Sequence, residues 1–150
     1  MSEPISLAAY LQENGSLTYR NTGVSMLPLL RQDRDLFIVQ KKGGERCRVG
    51  DVILYRRPPD AYVLHRVVEV RPEDYVVLGD NCLNREYGIR DEDILGVMTG
   101  FVRDGREHSV RELPYRLYSR VLTRGASLRI ALTKTKNAAK RRLGKILHEK

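Results

Sequence analysis

Residues 62–81 read YVLHRVVEVRPEDYVVLGDN, and this stretch decides the fold. Two runs rich in β-branched and aromatic residues, 62–70 and 75–78, are separated by Arg-Pro-Glu-Asp at 71–74, a sequence typical of a turn. The stretch therefore predicts two short strands joined by a turn, the pattern of an antiparallel β structure.

The same succession of short β-rich runs and turn residues extends in both directions along the chain. Further strands are predicted at 36–40, 52–56, 95–102 and 107–110. No segment between the strands suits a helix of ten or more residues, which argues against a doubly wound α/β fold. We expect a compact, mainly β, antiparallel fold.

A short helix is predicted to lead this β domain. Residues 5–13, ISLAAYLQE, favour helix and stop at the breaker pair Asn-Gly at 14–15. The 150 residues are one domain's worth of chain and can bury a core without metals or disulfides. We therefore expect one β domain over residues 1–112, led by the helix.

The C-terminal segment differs from the rest in pattern and in charge. Apolar residues recur at helical spacing from Pro114 onward, with an interruption at Gly125. The chain has a formal net charge of +8, but residues 111–150 hold 12 Lys or Arg and 2 Glu, whereas residues 1–110 hold 15 basic and 17 acidic residues. We expect a basic, amphipathic helical extension over residues 113–150.

Composition also bears on location. Every apolar run is broken by charge before the ~18–20 residues that a membrane-spanning helix needs, and the first residues, MSEP, lack the basic start and apolar core of a signal peptide. Cys47 and Cys82 allow one disulfide at most, which a domain of this size does not need. We expect reduced thiols and a cytoplasmic protein, with a peripheral position at the inner face of the membrane as the alternative.

One serine lies in a turn that restricts its backbone. Residues 23–28 read Gly-Val-Ser-Met-Leu-Pro, so Ser25 stands between a glycine and a proline. A strained turn of this kind can present a hydroxyl to a substrate. An ordinary turn serine gives the same pattern.

His65 is predicted to lie on an apolar strand face. In a strand, Val63, His65 and Val67 point to one face, whereas Leu64 and Arg66 point to the other. An imidazole among β-branched neighbours is either a core residue with satisfied hydrogen bonds or a general base.

Acidic residues follow the next strand. The tight polar turn Gly-Asp-Asn at 79–81 is adequately explained by turn chemistry, and Glu86 comes six residues after Asp80. However, a serine hydroxyl is a poor nucleophile until a base takes its proton, and a carboxylate can fix the tautomer of that base. Ser25, His65 and Asp80 together supply these three groups.

These segments resemble the sequence boxes of type I signal peptidases and their LexA-like relatives. In order, the matches are Ser25-Met26 with Pro28, Gly50-Asp51-Val52, His65-Arg66-Val67 and Gly79-Asp80-Asn81. Asp93-Ile94-Leu95-Gly96 looks like the strand that closes the family's β domain, so the likeness covers roughly residues 18–103. Most bacterial members have a lysine base, and the histidine here is similar to the endoplasmic-reticulum, archaeal and spore-former branch. The resemblance implies a compact, barrel-like antiparallel β fold.

The resemblance also implies a serine endopeptidase that cleaves signal or leader peptides after small residues such as alanine. Ser25 is the implied nucleophile and His65 the implied general base. Asp80, Glu86 and Asp91 remain alternatives for the carboxylate that supports His65. An imidazole has an ordinary pKa of ~6.5, so activity is expected to fall as the pH drops through roughly 6 to 7.

The implied oxyanion hole is incomplete. The family uses the backbone N–H of the nucleophile, often with a serine hydroxyl two residues earlier, where this chain has Gly23. Losing one such donor costs ~2.7–4 kcal/mol in other enzymes, so a substitute donor or modest turnover is expected. Met26 and Pro28 belong to the nucleophile's turn. No cofactor or metal is expected, because the three histidines show no ligand spacing.

The implied partner is a peptide or preprotein substrate, added as an extended segment to a strand edge; no oligomeric state is predicted. The basic extension allows three interpretations: docking of residues 126–150 on an anionic membrane, a merely solvated helix, or binding of a polyanion. For docking, the expected contacts are Leu143, Ile146 and Leu147 with lipid, and Lys140, Arg141, Arg142 and Lys145 with its phosphates. A nucleic-acid partner is disfavoured, because only Tyr115 and Tyr118 offer aromatic rings for stacking.

The alternative function is a non-catalytic or LexA-like regulatory module that binds peptides. LexA-like regulators share the serine turn but cleave themselves and bind DNA through a helix-turn-helix domain. Only 24 residues precede Ser25, and no Ala-Gly pair lies among them, so we expect a peptidase rather than a self-cleaving repressor.

Overall fold

The computed structural model describes residues 6–148, and its first element is the short helix α1, Leu7–Asn14. The Ser6 hydroxyl caps this helix by accepting a hydrogen bond from the Ala9 N–H at 3.1 Å. Gly15 ends the helix with a φ of 77°, a left-handed conformation that favours glycine. The helix predicted at 5–13 is thus confirmed as an element, although Ile5 lies outside the described residues.

Eight strands form one antiparallel sheet. They are β1 Ser16–Arg20, β2 Leu36–Lys41, β3 Val52–Arg57, β4 Ala61–Val70, β5 Tyr75–Leu78, β6 Glu86–Ile89, β7 Ile94–Arg103 and β8 Arg106–Ser109. The order across the sheet is β1-β2-β7-β3-β4-β5-β6, with β8 paired to β7. The mainly antiparallel β architecture is therefore confirmed. Within residues 6–148 the two end strands, β1 and β6, do not pair with each other, so the sheet is not closed.

The two faces of β4 contribute residues to two different core clusters, as side chains that alternate with a period of two predict. Leu64 packs in a cluster with Met26. Val67 packs in a second cluster with Tyr55 and Tyr75. Both sides of β4 are therefore buried around His65, which is itself only 7% exposed.

The C-terminal segment is a single helix, α2, Leu113–His148. The interruption predicted at Gly125 is wrong, because the helix runs through that residue. A glycine costs about 1 kcal/mol relative to alanine inside a helix, and the next turn offsets this cost by burying Ala126 and Ile130 against Leu78. Within residues 6–148, no helix is both long and apolar enough to cross a bilayer.

Candidate active site

The turn that carries Ser25 is held from inside by Asn21. The buried Asn21 amide donates hydrogen bonds to the carbonyl oxygens of Gly23 at 2.9 Å and Leu30 at 3.2 Å. Met26 and Leu30 are fully buried on either side of this tie. Ser25 is therefore fixed at the surface of the core, and its side chain stays partly accessible.

A buried carboxylate secures the far end of the same loop. Asp35 accepts hydrogen bonds from the Arg31 guanidinium at 2.8 Å, from the Arg31 backbone N–H at 2.8 Å and from the Arg103 guanidinium at 2.9 Å. Although burial opposes its ionisation, these hydrogen bonds hold the pKa of Asp35 at about 2. Arg103 also donates to the carbonyl oxygens of Leu29 at 2.6 Å and Pro28 at 3.1 Å. The backbone carbonyl of Pro28 therefore helps to hold the loop in place.

The turn that follows β5 is hydrogen-bonded to the turn that carries Ser25. The Asn81 N–H donates to the Ser25 carbonyl at 2.8 Å, and the Asn81 side-chain amide donates to the Val24 carbonyl at 3.1 Å. An added Cβ at Gly79 would lie 2.7 Å from the Ser25 carbonyl oxygen and 3.0 Å from His65 Nε2. Glycine is required here because the serine turn and the histidine ring both approach the backbone closely.

Tyr55 and Glu86 face the other ring nitrogen of His65. The Tyr55 hydroxyl lies 3.2 Å from His65 Nδ1, and Glu86 Oε1 lies 4.0 Å from the same atom. Arg57, at the end of β3, forms an ion pair with Glu86. The imidazole is thus placed with Nε2 toward Gly79 and with Nδ1 toward a hydroxyl and a carboxylate. Within residues 6–148, Ser25 Oγ and His65 do not form a hydrogen bond, so the two groups meet only through the cavity that both line.

The charges around His65 set its protonation. Burial lowers the pKa of His65 below its ordinary value, because the imidazolium loses hydration; Glu86 opposes this effect, and Arg57 adds to it. Burial and the Glu86 carboxylate raise the pKa of Tyr55 well above its usual range. At neutral pH, His65 is therefore a neutral base, and Tyr55 keeps its proton.

Ser25 and His65 line the same cavity. It has a volume of about 460 Å³ and also includes Gly23, Tyr19 and Arg57 in its walls. An added Cβ at Gly23 would meet no atom within 4 Å, so position 23 opens to free space. The cavity thus combines a hydroxyl, a neutral base and room for a ligand.

The carboxylate of Asp80 does not face His65. Arg66 binds it with two hydrogen bonds, both 2.8 Å long, and the Tyr118 hydroxyl donates to it at 2.9 Å. Arg66 in turn donates to Ser119 Oγ at 2.8 Å. Asp80 therefore joins the turn after β5 to β4 and to α2.

The third candidate carboxylate, Asp91, lies elsewhere and accepts a 2.6 Å hydrogen bond from Tyr75. Of the three acidic residues considered for the support of His65, only Glu86 approaches its ring nitrogen. Within residues 6–148, no group of three or more His, Cys, Asp or Glu side chains is placed to hold a metal ion.

Sequence reasoning missed Tyr55, Arg57, Asn21 and Asp35. Tyr55 pairs with Val63 in the β3–β4 ladder, two pairs away from the Ile53–His65 pair, so Tyr55 and His65 share a face. The alternation of side chains along each strand could be read from the sequence. The register between the two strands, which places Tyr55 next to His65, could not. Asn21 and Asp35 carry no motif, and only the folded loop shows their role.

Comparison of the chain with models of protein families, with curated proteins and with solved structures finds no match.

Proposed function

We propose that this protein is a serine endopeptidase that resembles type I signal peptidases of the histidine type, built on a compact, barrel-like version of their β fold. One observation carries the proposal: Ser25 and His65 line one cavity, and the Ser25 carbonyl and His65 Nε2 both lie against Gly79. A nucleophile and a neutral base in one ligand-sized cavity are the minimum that acyl transfer requires.

In the proposed reaction, Ser25 Oγ attacks the carbonyl carbon of the scissile peptide bond while His65 Nε2 takes the hydroxyl proton. The resulting imidazolium then gives this proton to the leaving amine, and a water molecule, activated by the same nitrogen, hydrolyses the acyl-enzyme. For Nε2 to accept a proton, the neutral ring must carry its own proton on Nδ1.

Tyr55 and Glu86 support that tautomer. The Nδ1–H can donate to the Tyr55 oxygen, which lies 3.2 Å away, and the Glu86 carboxylate is close enough to Tyr55 to help raise the pKa of its hydroxyl. When the ring becomes positively charged, Glu86 at 4.0 Å stabilises it. Glu86 is thus the proposed positioning carboxylate, while Asp80 braces the turn that holds Ser25.

The oxyanion hole is proposed to use the Ser25 N–H. Within residues 6–148, no hydrogen bond engages this N–H, whereas the Ser25 carbonyl accepts one from Asn81. With Gly23 in place of a serine, the site lacks the second donor that the family often has. Because one donor is worth ~2.7–4 kcal/mol, we expect slow turnover.

The substrate is proposed to be an extended leader-type peptide with small residues before the cut. β1 is an end strand of the sheet, and its last residues, Tyr19 and Arg20, form part of the cavity wall. A peptide added along the free edge of β1 would gain main-chain hydrogen bonds and pass Ser25.

The direct test is cleavage of a leader peptide that contains Ala-X-Ala, followed by mass spectrometry. We expect the wild type to cleave it and the variants Ser25→Ala and His65→Ala to lose about 10³-fold or more in rate. The matched controls are Ser127→Ala and His108→Ala, which change the same residue types outside the cavity and should keep full activity. Equal cleavage by all five proteins would contradict the proposal.

A further inference from the structure

The side of α2 that faces away from the sheet carries an exposed apolar stripe. Its residues are between 52% and 71% exposed, and they are Leu113, Leu117, Val121, Leu128, Leu132, Leu143 and Ile146. At the helical angle per residue they fall within an arc of about 120°. Arg124 and Arg142 fall within the same arc, and their long side chains can carry the charge away from the apolar residues. The helix has 36 residues, so the stripe extends over about 50 Å.

This apolar stripe is separate from the face by which α2 packs. The residues buried against the sheet are Ser119, Ala126 and Ile130, and they lie on the opposite side of the helix from Val121 and Leu128. Within residues 6–148, no element covers the apolar stripe. Burying it therefore requires something outside the fold.

The charge of α2 is entirely of one sign. From residue 113 to residue 148 there are ten Lys or Arg and no Asp or Glu. Arg120 and Lys145 flank the apolar stripe on one side, and Lys136 and Lys140 flank it on the other. A helix with an apolar face between basic flanks is typical of a helix that lies in the interface of an anionic bilayer.

A basic cavity lies next to the first turns of α2. Arg48, Arg111, Arg116 and Arg120 line this cavity, whose volume is about 700 Å³. Its acidic residue, Asp51, uses its carboxylate to accept the Arg48 N–H at 2.8 Å. Within the described part of the chain, none of the four guanidinium groups forms an ion pair, so they are free to bind phosphate groups.

We propose that α2 docks on an anionic lipid bilayer. Its apolar stripe enters the boundary between headgroups and acyl chains, and the four arginines beside it bind lipid phosphates. Compared with docking by residues 126–150 alone, the surface covers the whole helix and includes Arg48, which precedes β3. The ion pair of Arg66 with Asp80, bonded to Tyr118 and Ser119, holds α2 on the sheet, so docking also fixes the orientation of the sheet on the membrane.

Two other occupants fit the observations less well. A second copy that packed its own α2 against this stripe would bring ten more basic residues and no acidic partner, which opposes association. A nucleic acid would satisfy the charges but would leave the apolar stripe pressed against a phosphate backbone. Only a bilayer offers acyl chains and phosphates at the same surface.

The test is co-sedimentation of the full chain with vesicles of phosphatidylcholine, with and without phosphatidylglycerol. We expect binding only to the anionic vesicles, and weaker binding in high salt. The triple variants Leu128→Gln/Leu132→Gln/Leu143→Gln and Arg111→Gln/Arg116→Gln/Arg120→Gln should each lose about 100-fold in partition coefficient. The matched controls, Arg56→Gln/Arg90→Gln/Arg106→Gln and Tyr10→Gln/Tyr87→Gln, should lose less than about threefold.

Three results would overturn the docking. The first is that the protein binds neutral and anionic vesicles equally, or binds neither. The second is that it binds duplex DNA and the leucine variant retains this binding. The third is a concentration-dependent dimer that the leucine variant abolishes. Circular dichroism of each variant checks that it is folded. Cleavage of a soluble leader peptide, measured without vesicles, should be unchanged in the leucine variant, so failure of docking and failure of the proposed peptidase are distinguishable.

Discussion

The Nδ1 atom of His65 lies 3.2 Å from the Tyr55 hydroxyl, and Tyr55 is fully buried in the strand next to that of His65. Because burial lowers the pKa of His65, the imidazole stays neutral at a pH where an exposed histidine would be half protonated. Tyr55 thus contacts one ring nitrogen, and in the tautomer with its proton on Nδ1 the lone pair of Nε2 lies near Gly79, beside the cavity that Ser25 also lines. The predictions below follow from this arrangement and from the turns around it.

The first prediction concerns the pH dependence of cleavage. His65 is a base only when neutral, so activity should be lost as the pH falls through its lowered pKa. We expect the acidic half-activity point of kcat/KM to lie below about 6.5, the ordinary imidazole value. A half-activity point near pH 9, unaffected by His65→Ala, would contradict the role of His65 as base.

Two substitutions should move that half-activity point in opposite directions. Glu86→Gln removes a negative charge that raises the pKa of His65, so the point should move to lower pH. Arg57→Gln removes a positive charge that lowers this pKa, so the point should move to higher pH. NMR titration of the His65 ring measures both shifts, with the exposed Glu92→Gln as control. Shifts of the same sign would argue against Glu86 as the positioning residue.

A hydroxyl added at position 23 should speed the reaction. Because a Cβ at Gly23 meets nothing within 4 Å, Gly23→Ser should fold normally. We expect kcat to rise about tenfold, as a second oxyanion donor is gained, with little change in KM. Gly23→Ala adds the same Cβ without the hydroxyl and should not raise kcat. If both variants behave alike, a serine at this position is not an oxyanion donor.

A methyl group at Gly79 should damage the site. It would lie 2.7 Å from the Ser25 carbonyl oxygen and 3.0 Å from His65 Nε2. We expect Gly79→Ala to lower kcat/KM about 100-fold and the free energy of unfolding by about 1–3 kcal/mol. At Gly43, by contrast, an added Cβ has no atom within 4 Å, so Gly43→Ala is the matched control. Full activity in Gly79→Ala would show that the two turns do not meet as described.

Asp80 should matter for stability more than for chemistry. Asp80→Asn leaves Arg66, whose side chain is only 1% exposed, without its counter-charge. We expect a loss of about 3–5 kcal/mol in the free energy of unfolding, measured by urea denaturation. Adding Arg66→Met to Asp80→Asn should recover part of that loss. If Asp80→Asn instead removes activity while leaving stability unchanged, the acid acts in catalysis.

Patterns along the chain predicted the elements whose cause is local. The alternation around His65, the turn at 71–74 and the capped helix α1 all follow from neighbouring residues. The short strands β1 and β6 were missed, because β1 buries only Leu17 and β6 contains Gly88; pairing with β2 and β5, rather than their own composition, makes them strands.

The site was predictable to the same extent. Ser25 and His65 could be proposed as site residues because each stands in a distinctive local sequence, and the structure places both at one cavity. The choice among Asp80, Glu86 and Asp91 stayed open because it depends on strand register and on Arg66, a cation from another strand. Nothing local to Asp80 indicates that Arg66 and Tyr118 occupy its carboxylate.

The ion pair of Arg66 and Asp80 also has a consequence for cooperativity. It joins the turn that is hydrogen-bonded to Ser25 to the helix that accounts for the net positive charge of the chain, through the Tyr115, Tyr118 and Ser119 hydroxyls. Separating α2 from the sheet would remove three hydrogen-bonding partners from a buried pair of charges, so local opening of the helix is expected to loosen the serine turn as well. A force or a ligand that acts on α2 is therefore expected to change how firmly the Ser25 turn is held.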